Sequence, residues 1–123
     1  MTSATPWEFT DAWVFAAIAV YDRPCSLVEL IGAADWINHA VLLETEVESA
    51  LGKLTAADLV RVYEGWTFEL TDDGSSLWSG GVRDLQSQLQ VVLDRLELVE
   101  PGGARVPLPA GVMDRALEDY RRA

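Results

Sequence analysis

Apolar residues recur along the first half of the chain at the spacing of helices that bury one face. Trp13, Ala16, Ala17 and Val20 fall at i, i+3, i+4 and i+7, which predicts a first helix from about Asp11 to Tyr21 with Thr10 as its cap, stopped by Asp22-Arg23-Pro24. Ser26 and Glu29 have the spacing of a capping box, and Leu27, Leu30, Ile31, Ala34 and Ile37 continue the stripe, so a second helix should run from Leu27 to about Asn38. Thr45 and Glu48 repeat the box, and Val47, Ala50, Leu51 and Leu54 repeat the face. A third helix is predicted from about Glu46 to Ala57.

The period then changes. "LVRVY" and "WTFEL" flank Glu64-Gly65 as a hairpin, with Asp58 tolerating the left-handed turn that leads out of the third helix. Alternation places Trp66, Phe68 and Leu70 on one strand face, which would bury Trp66 in the core; exposed, Trp66 would instead be an interface anchor. Thr71 caps a short helical turn over 72–78, and Gly80-Gly81 reads as a break. A longer helix from about Val82 to Leu96 carries Leu85, Leu89, Val92 and Leu96 as one seam, which serves equally as a dimer seam or as packing on the chain's own core. Residues 100–111 form a turn-rich connector with a minor hairpin at Pro101-Gly102-Gly103. A last helix runs from about Ala110 to Arg122.

Composition narrows the class. A chain of 123 residues, half of them apolar, is long enough for one domain with a core of its own. Its formal charge of −11 disfavours nucleic acid and anionic lipid at long range. The apolar stretch 12–21 lacks a basic lead and falls well short of the ~20 residues that span a bilayer. No membrane association is therefore expected. With Cys25 as the one cysteine, no internal disulfide can form, and a cytoplasmic protein is the expectation.

Three helices followed by a two-stranded hairpin that closes on Leu70, Thr71 and Gly74, with Ala50, Leu51 and Leu54 as the "A-L-x-x-L" face before it, resemble the winged helix-turn-helix domain of bacterial MarR and PadR regulators. The resemblance covers about residues 10–78, with 79–123 as a C-terminal helical extension. It implies a mainly α fold: a winged-helix-like core and wing followed by two C-terminal helices. It also implies that the third helix and the wing would meet DNA, with Lys53 and Arg61 as the contacting cations.

The charge on that footprint points elsewhere. The third helix is expected to expose Glu46, Glu48, Ser49, Gly52 and Lys53, with Glu44 just ahead of it. Residues 44–58 hold four acidic side chains against Lys53, and 61–74 hold four against Arg61. A phosphate backbone rewards the opposite sign. The sequence therefore favours a non-catalytic interaction module that offers Glu44, Glu46, Glu48, Glu64, Glu69 and Trp66 to a basic protein surface. A DNA-binding regulator is the alternative, and homodimerisation through the long-helix seam is compatible with either.

Candidate chemistry is sparse. His39, the one histidine, has no partner at metal-ligand spacing and reads as a helix-end residue bonded to backbone. Cys25 lacks an evident base and reads as a small apolar filler, and Glu44 and Glu48 at i, i+4 read as a solvated face with a capping role for Glu48. No nucleophile, base and orienting group come together, so neither an enzyme nor a cofactor is expected. A small-molecule pocket between the long helix and the core has only the abundance of tryptophan behind it.

Overall fold

The computed structural model describes residues 6–21, 23–78 and 85–122, with the side chains of 85 and 86 excepted. The protein is mainly helical with a small antiparallel sheet. In chain order the elements are α1 (Phe9–Ala19), β1 (Cys25–Ser26), α2 (Leu27–Asn38), α3 (Glu44–Ala56), β2 (Val60–Tyr63), β3 (Thr67–Leu70), α4 (Asp72–Leu77), α5 (Leu85–Leu96) and α6 (Val112–Arg122).

From Ala12 onward α1 is apolar around its whole circumference, and every residue from Asp11 to Ile18 is buried. Such a helix must sit at the centre, and α2, α3 and α5 pack around it. The Trp13 indole N–H donates to the Ala34 carbonyl at 2.8 Å, which fixes α1 against α2 while satisfying a buried donor. The helix begins two residues earlier than expected. Thr10 is not its cap; the Asp11 carboxylate accepts the Glu8 N–H at 2.8 Å and fills that role.

The box at α2 forms as read: Ser26 Oγ accepts from Glu29 N at 3.1 Å, and Glu29 Oε1 accepts from Ser26 N at 3.0 Å. The Arg23 guanidinium also grips Glu29. Hydrogen bonds from Arg23, then from the Ser26 backbone, hold the Glu29 carboxyl down at about 2 against an ordinary 4.5. A depressed carboxyl stabilises the fold fully above its unfolded value and loses that contribution as pH falls toward the folded one. Glu29→Gln should therefore lower the thermal midpoint at neutral pH and flatten its fall between pH 4.5 and 2. Thermal melts across that window check this, and an unchanged acid limb would count against the box.

The sheet has the order β1-β3-β2, and the two-residue β1, which pairs Cys25 with Phe68 and Ser26 with Thr67, was not expected. The hairpin register pairs Val60 with Leu70, Arg61 with Glu69, Val62 with Phe68 and Tyr63 with Thr67. Its tip takes three residues, Glu64-Gly65-Trp66, with both Gly65 (φ 83°) and Trp66 (φ 61°) left-handed. Trp66 is thus a half-buried turn residue, out of step with Phe68 and Leu70. Asp58 is left-handed as expected (φ 59°), and Thr71 caps α4 by accepting from Gly74 N at 3.0 Å.

Leu89, Val92 and Leu96 are buried within the core cluster, and α5 lies along α1. These three residues therefore offer no dimer seam. The side chain of Leu85, the predicted helix start at Val82 and the Gly80-Gly81 break lie outside the described residues. α6 lies along α2, where the Tyr120 hydroxyl donates to Asp35 Oδ2 at 2.5 Å and Gly32 leaves room for the ring. No helix among the described residues is long and apolar enough to cross a membrane.

Candidate functional site

The face expected to act comprises α3 and the hairpin. α3 starts at Glu44, and its first turn is closed by Glu46, whose Oε1 accepts the Leu43 N–H at 2.8 Å. The cap therefore lies two residues upstream of the Thr45–Glu48 pair. Glu48, freed of a capping role, is 5% exposed and points into a different contact. Its Oε2 accepts the Leu108 N–H at 2.6 Å, its Oε1 lies 3.5 Å from Arg105 Nε, and its backbone carbonyl accepts the Val106 N–H at 3.1 Å.

These bonds fasten the connector between α5 and α6 across the outer face of α3. The crossing is a backbone contact: a Cβ on Gly52 would stand 2.2 Å from the Ala104 carbonyl oxygen, and one on Gly103 would stand 2.3 Å from the Gly52 carbonyl oxygen. Gly103 is also left-handed, with φ 86°. No strand forms around Pro101-Gly102-Gly103; the connector is a strap without helix or strand, seated on α3. Glu48 and Gly52, expected in solvent, lie beneath it.

Lys53 is likewise enclosed, at 4% exposure. Its ammonium donates to Asp11 Oδ2 at 2.7 Å and to the Pro6 carbonyl at 2.9 Å, so the cation expected to meet DNA ties α3 to the start of α1. Arg61 is exposed on β2, but it stands opposite Glu69 in the ladder. Glu69, half-exposed, accepts the Tyr63 hydroxyl at 2.6 Å. Of the expected acidic face, Glu44 and Glu64 are exposed, Glu46 and Glu69 are half-exposed, and Glu48 is withdrawn. Leu43, at 63% exposure, and Tyr63 add apolar surface beside them.

Among the described residues, two clefts border this region. One, of about 200 Å³, lies between the starts of α1 and α3 and is lined by Glu8, Thr10, Asp11, Thr45, Glu46 and Ser49. Two of its carboxylates, Asp11 and Glu46, already serve helix starts, and no group of three metal-ligating side chains occurs among the described residues. The other, of about 220 Å³, is a shallow apolar recess between Trp66, the start of α2 and α6. Between the long helix and the core, where the tryptophan-based reading would put a small-molecule pocket, Leu89, Val92 and Leu96 are buried.

The remaining titratable candidates are structural. Burial, aided by the nearby Glu29, pushes the Cys25 thiol up to about 12, so it stays protonated and unreactive at neutral pH. His39 closes α2 in the left-handed conformation (φ 53°), its N–H donating to the Asp35 carbonyl at 2.6 Å. Burial of Glu48 and Lys53 had no sequence signal at all, because both partners are remote in the chain. Compared with known proteins, the chain matches no family model, no curated protein and no solved structure.

Proposed function

We propose that the protein is a cytoplasmic, non-catalytic interaction or regulatory module of winged-helix type, and that its partner is a protein with a basic surface. The element order helix, strand, helix, helix, hairpin, with the first strand added to the hairpin, supports the winged-helix reading. One observation carries the choice of partner. The outer face of α3, which a DNA reader would lay in the major groove, is covered by the chain's own strap, and Lys53 is held by Asp11. The surface left open carries Glu44 and Glu64 with Leu43 and Tyr63.

DNA binding by this fold is the competing reading, and Arg61 is the expected contact that remains exposed for it. Non-specific binding rests on phosphate neutralisation and is strongest at low salt. Fluorescence anisotropy of a labelled random duplex at ~20 mM salt, where screening is weakest, should show no binding at micromolar protein. Salt-sensitive binding that weakens on Arg61→Ala would replace the proposed function with the regulator.

A further inference from the structure

The strap has the form of a bound peptide. Along residues 105–108 the side chains alternate: Arg105 and Pro107 are exposed, whereas Val106 is half-buried and Leu108 is buried. The N–H groups of the inward residues, Val106 and Leu108, both bond to Glu48, one to its carbonyl and one to its carboxylate. Extended peptides are recognised in this way, by main-chain hydrogen bonds with pockets for alternate side chains. On the helix side, Glu48, Gly52 and Ala56 are spaced one turn apart, and a Cβ on Gly103 would touch the last two within 2.5 Å. A backbone can therefore lie directly on α3.

From this geometry we infer that the outer face of α3 is a docking groove for an extended, arginine-bearing segment of a partner protein, and that residues 103–108 are a built-in occupant that keeps it closed. The inference rests on the interaction-module reading and adds, to the open surface around Glu44 and Glu64, a second contact for the same basic partner beneath the strap. A glycine crosses at Gly52, an arginine lies beside the Glu48 carboxylate, and an apolar residue three positions later fills the site of Leu108. Arg105 is held by Glu48 at 3.5 Å with 59% of its side chain in solvent, so an incoming guanidinium can displace it.

An intramolecular segment acts at an effective concentration of order mM. A competing segment of similar quality therefore binds well only once the strap is released. The strap joins α5 to α6 and leaves few apolar groups buried, which is the composition of a segment that opens locally ahead of the whole fold.

The test uses the full chain carrying Arg105→Glu and Leu108→Asp, titrated with a synthetic peptide of residues 102–109 and followed by amide chemical shifts. Shifts should be confined to Thr45, Glu48, Ser49, Gly52 and Ala56, and binding should be at least ~10-fold tighter than to the unmodified chain, reflecting the removed competitor. A peptide with glutamate in place of its arginine should not bind. Absent or scattered shifts in a folded variant, or equal binding to both chains, would overturn the groove.

Native-state hydrogen exchange on the unmodified chain gives a second reading that needs no variant. The amides of Val106 and Leu108 should exchange at least ~10-fold faster than those in the middle of α1, as local opening requires. Equal protection would mean that the groove opens only on unfolding, and would overturn the proposal. Failure of either experiment while the duplex titration stays silent removes the groove alone, whereas duplex binding removes the interaction-module reading beneath it.

Discussion

Replacing Lys53 by methionine is expected to cost about 3–5 kcal/mol of stability, the penalty for leaving a buried charge without its partner. Methionine keeps most of the stem volume of lysine, so packing around α3 is largely retained and the loss is electrostatic. What remains is the Asp11 carboxylate at 2% exposure, with the Glu8 N–H as its surviving donor among the described contacts. Asp11→Asn should also destabilise, because it strands the ammonium beside the Pro6 carbonyl. The double replacement, Asp11→Asn with Lys53→Met, removes both charges and should recover a large part of the loss. Urea unfolding of the two single variants and the double gives the coupling directly. Losses below ~1 kcal/mol that simply add would mean that the pair is solvated and surface-like.

That pair also marks the limit of what the sequence could disclose. The helices and their local punctuation were legible because each signal lies within four residues. Ser26 with Glu29, Thr71 with Gly74, and left-handed Asp58 all occur where the pattern placed them. The start of α3 departs from the pattern for a physical reason. Only Thr45 with Glu48 has the residue types of a box; Leu43 has no side-chain acceptor to offer, and the helix starts there with the Glu46 carboxylate taking the Leu43 N–H alone. The chain closes the helix with Glu46, leaving Glu48 for a partner 60 positions away.

Lys53 finds Asp11 across 42 positions, a distance that no periodic pattern encodes. The stripe on α5 had a different difficulty. A seam of Leu89, Val92 and Leu96 is the same sequence whether it meets a second copy or the chain's own α1, and the decision rests on tertiary packing. The strand β1 is too short for any alternation to announce it; it exists because β3 offers an edge to the two residues that happen to lie beside it.

Gly52 gives the sharpest discrimination between the sequence-based picture of α3 and the strapped one, because the two predict opposite signs. In an exposed helix interior, Gly→Ala gains about 1 kcal/mol. Here the new Cβ would lie 2.2 Å from the Ala104 carbonyl oxygen and 2.9 Å from the Arg105 Cα, both backbone atoms that cannot rotate away. The strap must lift. Lifting it breaks the Leu108 N–H bond to the Glu48 carboxylate and exposes the Leu108 side chain, each worth about 2 kcal/mol. After the helix gain is subtracted, Gly52→Ala should destabilise by roughly 2–3 kcal/mol.

Gly102→Ala is the control, since a Cβ there meets nothing within 4 Å and should leave stability near its original value. Denaturant midpoints of the two variants decide the sign, and a stabilised Gly52→Ala would mean that no strap is seated on α3. The same substitution also separates release from docking. Gly52→Ala and the Arg105→Glu, Leu108→Asp variant should both free the Val106 and Leu108 amides for exchange. Only the latter should bind the 102–109 peptide, because the alanine that evicts the strap occupies the space into which any other backbone would have to settle.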